Sequence, residues 1–415
     1  MTTPDLHGAS WVRLTFVDVF GTGNAVQLPA DRFAEVCERG LPFDGSSLEG
    51  RARHFESDML LVPDPLTVRT IDGDIARVVC TAATIEGGAW PGDPRTALQS
   101  MLARYDDLGD AYQAGAELEF YVLDEDGRPV DNGGYYDEEE TTGAIVSREA
   151  AARLRAAGVV IDGCHHEAGP GQYEIDIAPM GPLALADAIV LAKQVVKEAA
   201  HRRSTRATFM ARPLNDRPGS GLHIHQRAGD AFFDEKGRLT EDGRQFVAGQ
   251  LSHARALSAL AAPTVNSYKR LHAGPEAPSA AVWAYNSRAA LIRVSSYRGD
   301  DASIEFRASD PSSNPYLLLA ALIACGAHGL EAGLELGPPA DEDVGGYDPV
   351  SESQRFEALP RDLDSALDAM LDDDVLVDAF DAQLLARLVD GRRTEAEAYR
   401  AHVTQWEQET YLDLA

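Results

Sequence analysis

Two periods of hydrophobic spacing alternate along this chain, and together they predict a mixed fold. WVRLTFVDVF (11–20) alternates apolar and polar positions and is rich in β-branched and aromatic residues, which predicts a strand. Gly21 to Asn24 then reads as a turn, and IARVVCTAATI (75–85) predicts a further strand. Between them lies FDGSSLEG (43–50), a polar, glycine-rich loop of the kind that carries function. The pattern changes at AWPGDPR, where Asp93-Pro94 offers a helix start and a helical period follows. The change places a domain boundary near residues 86–93, with an N-terminal domain over 1–90 and a larger one over 91–415.

Four more strands follow from period-two spacing: AELEFYVLD (116–124), GQYEIDI (171–177), GLHIHQ (221–226) and IEFRASD (304–310). Helical spacing marks SREAAARLRAAG (147–158, closed by Gly158), PLALADAIVLAKQVVKEAAHRR (182–203) and FVAGQLSHARALSALAAP (246–263, stopped by proline). SSNPYLLLAALIACGAHGLE reads as a turn and then a buried helix. Residues 335–350 are the most loop-like, and helical spacing returns from about 354, most clearly in LDSALDAMLDDDVLVDAF.

Composition narrows the class. At 415 residues the chain can bury a substantial core. Its net charge of -30, from 37 basic and 67 acidic residues, argues against nucleic-acid binding, which needs a basic surface. A local group of arginines or metal ions still allows an anionic substrate. The acidity itself reads as a well-hydrated surface, with attraction of a cationic substrate as the second reading. Cys37, Cys80, Cys164 and Cys325 are far apart and form no CxxC pair, which fits free thiols in a reducing compartment. The N-terminal MTTPDLHGASW lacks a basic region followed by an apolar run. The apolar stretch from Tyr316 to Cys325 is too short to span a bilayer. A cytoplasmic protein without membrane or nucleic-acid partners is expected.

Candidate chemistry lies on the strands. Glu117 and Glu119 stand two apart, so their carboxylates share a face. His223 and His225 repeat the arrangement, and so do Glu305 and Arg307. A solvated outer sheet face would produce any one such pair; three pairs together favour a site. HHEAGPGQYEID adds His165, His166, Glu167 and Glu174. Carboxylates with an imidazole suit Mg²⁺ or Mn²⁺, and the lack of cysteine argues against structural zinc. Five carboxylates in one pocket would repel one another unless cations neutralised them, so two to three divalent ions are expected. SYKRLHAGPEAP holds Lys269, Arg270 and Glu276, and YNSRAALIR holds Arg288 and Arg293. Arginines beside metal carboxylates point to phosphoryl transfer, although structural salt bridges account equally well for some of them. No GxxxxGKS/T element and no convincing GxGxxG helix opening is present, so ATP would not bind through a Walker or Rossmann device.

In this order FDGSS, ExE, HHE…GQxE, SGxHxH, NSYKRL…xEAP and IEFR..DPSSNPYL strongly resemble the glutamine synthetase family, type I, from about Trp11 to the C-terminus. The resemblance implies an α+β fold: an N-terminal β-grasp-like domain, then a catalytic domain with a curved antiparallel sheet flanked by helices. It implies a dodecamer of two stacked hexamers in which the N-terminal domain of one subunit closes the site of the next. Glu119, Glu167 and Glu174 match the ligands of one metal, and Glu117, His223 and Glu305 those of the other. Gly219, His223, Arg270 and Arg307 match glutamate-binding positions. His225, Arg288 and Arg293 match ATP-phosphate positions. Asp44, Ser47, Tyr135, Glu167 and Glu276 match the amine pocket, with Asp44, Glu276 and Arg288 as the catalytic set. The implied reaction is ATP-dependent ligation of ammonia to L-glutamate through γ-glutamyl phosphate. A γ-glutamylamide synthetase acting on a polyamine or ethanolamine is the alternative, and a weakly catalytic regulatory homologue is a third reading.

Some positions depart from the family pattern. Pro218-Gly219 replaces the usual Asn-Gly, which alters a contact to the glutamate amino end. Ser303 replaces the arginine two residues before the metal glutamate, which removes a phosphate contact unless Arg298 reaches in. Pro275 replaces the flap tyrosine, and GTGN lacks the usual basic residue. Tyr347, in GGYDP, lies near where some members are adenylylated but reads as a plain surface tyrosine.

Overall fold

The computed structural model describes residues 5–49, 57–105, 108, 111–272, 277–295, 297, 299–340 and 356–414. The first sheet has six strands: β1 (Trp11–Val17), β2 (Gly23–Pro29), β3 (Leu41–Asp44), β4 (Asp58–Pro63), β5 (Arg69–Asp72) and β6 (Ile75–Thr84). Helix α1 (Phe33–Arg39) sits between β2 and β3 in the chain. The spatial order is β2-β1-β6-β4-β3, with β5 on β6. Only β1 and β6 run parallel. Val12, Leu14 and Phe16 alternate along β1 and enter a core with Leu61, Val78, Phe33 and Val36. This is period-two burial on one face.

The chain continues through α2 (Pro94–Arg104), β7 (Gln113–Leu123), α3 (Thr142–Ala156), β8 (Ile161–His166), β9 (Gln172–Met180), α4 (Pro182–His201), β10 (Arg206–Thr208) and β11 (Leu222–Arg227). It then forms α5 (Glu241–Ser252), α6 (Ala254–Ala261), α7 (Ser267–Leu271), β12 (Trp283–Ala284), β13 (Ile292–Val294), β14 (Ile304–Phe306) and α8 (Pro315–Ala332). Helices α9 (Leu363–Leu371), α10 (Asp374–Ala379), α11 (Ala382–Ala401) and α12 (Gln405–Tyr411) finish it.

Strands β7 to β14 build a second sheet of eight strands, in the order β12-β13-β14-β11-β7-β9-β8, with β10 on the far part of β7. It is antiparallel except at its edge, where β12 and β13 run parallel because the segment 285–291 returns the chain to the same side. Helices α3 and α4 pack on one face. There Leu118, Phe120, Val122, Ile175 and Ile177 are buried. The other face carries the polar side chains.

Two expected elements differ in the structure. The helix read over 246–263 is two helices, α5 and α6, broken at His253. The His253 ring bridges Asp373 at 2.6 Å and His328 at 2.9 Å, a reason for the break that lies in remote segments. The strand read over 304–310 pairs only to Phe306, because the Asp310 N–H turns to the carbonyl of Ala261. Helix α8 has the length and apolarity of a membrane span, yet 78% of it is buried inside the protein, where it packs on α2, α4, α5 and α6.

Polar contacts tie the first sheet to the helices of the larger region. Arg95 is clamped by Asp64 at 2.8 Å and by both carboxylate oxygens of Asp187 at 3.0 Å. Asn314 caps α8 and donates from its amide to the carbonyls of Asp18 and Val19 at 3.2 Å. A cavity of about 1010 Å³ lies between β1, α2 and α4, and it contains none of the candidate site residues.

Candidate active site

Register on the large sheet assembles the site. Glu117 of β7 lies opposite His223 of β11 on one side and Asp176 of β9 on the other. Glu119 lies opposite Glu174, which in turn faces His165 of β8. His225 lies opposite Glu305 of β14, which faces Arg293 of β13. Three rows of charged and imidazole side chains therefore cross the face away from α3 and α4. All of them but the buried Glu305 line the floor of a cleft of about 930 Å³, whose walls include Tyr135, Glu167, Arg288, Arg307 and Ser303.

The turn between β8 and β9 bends the Glu167 end back over this floor. Gly171 makes it with φ of +70°, and a Cβ there would lie 2.8 Å from the Val122 carbonyl, so only glycine fits. His166 points away from the cleft: its ring nitrogens face Asp131 at 3.0 Å and the Glu167 carbonyl at 2.6 Å. It therefore supports the turn.

Electrostatics divide the floor into two ends. At one end Glu117 accepts from His223 at 2.8 Å and His225 at 2.9 Å. Burial alone would push its carboxyl up, but these bonds and the imidazole charge hold it well below the usual carboxylate range. Glu305 is 1% exposed and ion-paired with Arg293 at 2.5 Å and with Arg307. Burial opposes its ionisation, and Arg307 overcomes that and lowers its pKa. At the other end like charges collect. Burial and the carboxylates of Glu117, Glu119 and Asp176 push Glu174 up to about 12. Burial and Glu119 push Glu167 up to about 8.

The second end is thus short of positive charge. Two groups of side chains bring ligand atoms within 4.8 Å of one another: Glu117, His223 and Glu305, and His165, Glu174 and Asp176. One Asp176 oxygen is also buried without a hydrogen-bond partner. Oxygen and imidazole donors of this kind fit Mg²⁺ or Mn²⁺, which would hold the carboxylates ionised.

Other expected residues lie elsewhere. Arg270 and Gly219 are behind the wall, not on the cleft lining. The Arg270 guanidinium donates to the carbonyls of Arg307, Ala308 and Ser309 at 3.0 Å, and a Cβ on Gly219 would meet its side chain at 2.6 Å. Asp44 ends β3 of the first sheet and Ser47 lies in the short helical turn after it, and neither is on the lining of this chain's own cleft. Asp44 accepts from the Ser46 amide and hydroxyl and from the Ser57 amide, and the Ser47 hydroxyl donates to the Asp44 carbonyl. Pro275, Glu276, Arg298 and Tyr347 lie outside the described residues. Asp176 and Arg227 line the cleft but escaped the sequence reading. Each stands two residues beyond a residue already singled out, Glu174 and His225, so extending the period-two rule by one step would have found both.

A sheet face that joins paired carboxylates, imidazoles and arginines is the floor of an enzyme that handles divalent cations and phosphate. The comparisons specify which. The glutamine synthetase β-grasp domain family matches residues 8–84, and the glutamine synthetase catalytic domain family matches 91–411. A glutamine synthetase of Halobacterium salinarum is 37% identical, covering 99% of this chain and 95% of its own length. One of Mycobacterium tuberculosis is 38% identical, covering 97% and 96%. A solved GmaS/ADP complex superposes with a TM-score of 0.87 at 29% identity, covering 98% of this chain and 97% of that one. The chain belongs to the glutamine synthetase family, and it is an ATP-dependent ligase.

Proposed function

We propose that this chain joins ammonia to the γ-carboxylate of L-glutamate, giving glutamine, through γ-glutamyl phosphate formed from ATP. The observation that carries this reading is the Glu117, His223 and Glu305 group, set against Arg293 and Arg307 and next to a second, charge-poor carboxylate group. One end suits phosphate and its cation. The other suits a cationic amine and a second metal ion.

Mg²⁺ or Mn²⁺, two to three per site, would be held by Glu117, His223 and Glu305 and by Glu119, Glu167 and Glu174, of which only Glu174 belongs to the second close group, with His165 and Asp176. When bound, the ions offset charge on carboxylates and phosphates. A glutamate γ-carboxylate oxygen attacks the terminal phosphorus of ATP, and ADP leaves with the bridging oxygen. Arg288 and Arg293 stabilise the charge that develops, while Arg307 holds the glutamate. The amine nitrogen then attacks the acyl carbon, and phosphate leaves. Asp44 takes a proton from ammonium before the attack, and Glu276 takes one afterwards. Arg270 acts on glutamate through the wall it braces, together with Gly219, while His225 orders the phosphate side. Water must be excluded while the acyl phosphate exists.

Asp44 and Ser47 are away from their own chain's cleft, which supports a homo-oligomer, a dodecamer of two rings, in which they complete a neighbour's site. Free thiols and the absence of a basic surface fit a cytoplasmic setting. A second reading, an organic amine as acceptor, is favoured by Tyr135 and Tyr136. These exposed rings lie 4.1 Å apart beside His165, and aromatic faces attract alkylammonium groups.

The test is ATP-dependent phosphate release with glutamate and Mg²⁺, run in parallel with ammonium, ethanolamine, putrescine and spermidine, with products identified by mass. Turnover chiefly with ammonium supports glutamine formation. Turnover chiefly with an organic amine replaces it with a γ-glutamylamide synthetase.

A further inference from the structure

The charge-poor end of the cleft has two walls from separate parts of the chain. One is the segment between β7 and α3, which carries Tyr135 and Tyr136. The other is the turn between β8 and β9, which carries Glu167.

One carboxylate ties these walls together. The Asp131 side chain is 5% exposed and stands behind the cleft, off its lining. Within its own segment it accepts from the Gly133 amide at 3.1 Å. From the other wall it accepts from the Gly171 amide at 2.7 Å and from the Tyr173 hydroxyl at 2.6 Å. His166 Nε2 lies 3.0 Å from the oxygen that takes the two amides. The other nitrogen of that ring lies 2.6 Å from the Glu167 carbonyl. Asp131 therefore reaches the Glu167 backbone through a single side chain. A second link runs between the same walls, because the Tyr136 amide donates to the His166 carbonyl at 3.1 Å.

The packing leaves little slack. A Cβ at Gly133 would lie 2.6 Å from His166 Nε2. Tyr136 has φ of +61°, which a bulky side chain adopts only where its surroundings impose it. In that conformation its ring lies against His165, with centroids 4.8 Å apart.

We propose that Asp131 is a positioning residue for the amine site. It fixes the gap between the tyrosine wall and Glu167, and with it the size of amine the site takes. This rests on the reading of this end of the cleft as the amine pocket. Asp131 touches no substrate and acts through the Glu167 backbone and the tyrosine segment. A fixed, narrow gap lets both walls contact a small cation at once. A loosened gap holds ammonium poorly and admits an added methyl group.

Steady-state phosphate release by the full chain, with ATP, glutamate and Mg²⁺, tests this with ammonium and methylammonium as acceptors. Asp131→Ala is expected to raise the KM for ammonium roughly 10- to 100-fold, while the KM values for glutamate and ATP stay within about threefold. Its kcat/KM preference should also move towards methylammonium by roughly tenfold. Asp131→Asn keeps an oxygen for Gly133, Gly171 and His166, and its amide can donate to the Tyr173 hydroxyl. It should therefore hold the ammonium KM within about threefold of wild type. Melting curves check that each variant is folded. If Asp131→Ala fails to fold, His166→Gln, which cuts the link to the Glu167 carbonyl, carries the test with the same expected split. The proposal alone is overturned if a working wild type is matched by Asp131→Ala, if all three substrates weaken alike, or if Asp131→Asn behaves as Asp131→Ala does. A wild-type protein that turns over neither amine overturns the amine-pocket reading itself, and this proposal with it.

Discussion

The two sheets of this molecule follow the same alternation and use it differently. In β1, Val12, Leu14 and Phe16 go to the core, while Arg13 faces Glu198 of α4 at 3.6 Å. In β7, Ala116, Leu118 and Phe120 go to the core, while Glu117 and Glu119 face the cleft. The first sheet keeps its functional candidates at the end of β3 and in the turn after it, where neighbouring amides and a hydroxyl bond Asp44. The second keeps them on the strands themselves, where burial is deeper and each charge depends on a partner from a distant segment. The lesson is that partners, not residue type, decide a buried carboxylate's state. Glu305 has Arg307 and two imidazoles beside it, and its pKa is lowered despite burial. Glu174 has carboxylates for neighbours and is pushed towards the neutral form.

The sharpest way to break this comparison is Glu305→Ala. It strands Arg307 at a buried position, at a cost of about 3–5 kcal/mol, and removes the partner of the half-buried Arg293. Phosphate release should fall by roughly 10³-fold or more, in keeping with the loss of several kcal/mol of charge stabilisation. Leu14→Ala in the first sheet should cost a similar ~2–5 kcal/mol in urea unfolding, yet leave ATP affinity of the folded protein unaltered. If Leu14→Ala weakens ATP as Glu305→Ala does, the two sheets are not separable in function.

A mixing experiment comes next. Asp44→Ala and Glu117→Ala should each be nearly inactive alone. Subunits of the two refolded together should regain part of the wild-type rate, because some sites then combine an intact loop with an intact sheet. No recovery in confirmed mixed oligomers would mean that each chain completes its own site.

The smallest expected effect concerns Asp93, the fully buried cap of α2. Burial pushes its carboxyl up to about 6 against the hydrogen bonds from Thr96. The folded value lies above the unfolded one of roughly 4. The folded state therefore holds the proton more tightly, and this group's contribution to stability declines as pH rises from about 4 to about 6. Asp93→Asn keeps a capping oxygen and removes the charge. Urea midpoints should show the variant gaining on wild type across that window, by roughly 1–3 kcal/mol, and staying level above it. A gap independent of pH would sink the account.

Much of the site was legible because its residues come in pairs. Glu117 with Glu119, His223 with His225, and Glu305 with Arg307 all announce a shared face. The strands β12, β13 and β14 are too short for periodicity to mark their bounds, and His253 breaks a helix for reasons held in Asp373 and His328. Asp176 and Arg227 gave the same period-two signal, but each lay at the end of a motif that already looked complete.

What the sequence determined by itself is local: which side chains share a strand face, that Asp93-Pro94 starts a helix, and which helix, α8, is apolar enough to be buried. Only the tertiary structure decided who faces whom. Alternation specifies the face of a strand but not its register against a strand remote in the chain. That register sets Glu117 opposite His223, 106 residues away, and His225 opposite Glu305. It also leaves Asp44 on a separate sheet, away from the cleft of its own chain, because that loop is anchored by the pairing of β3 with β4.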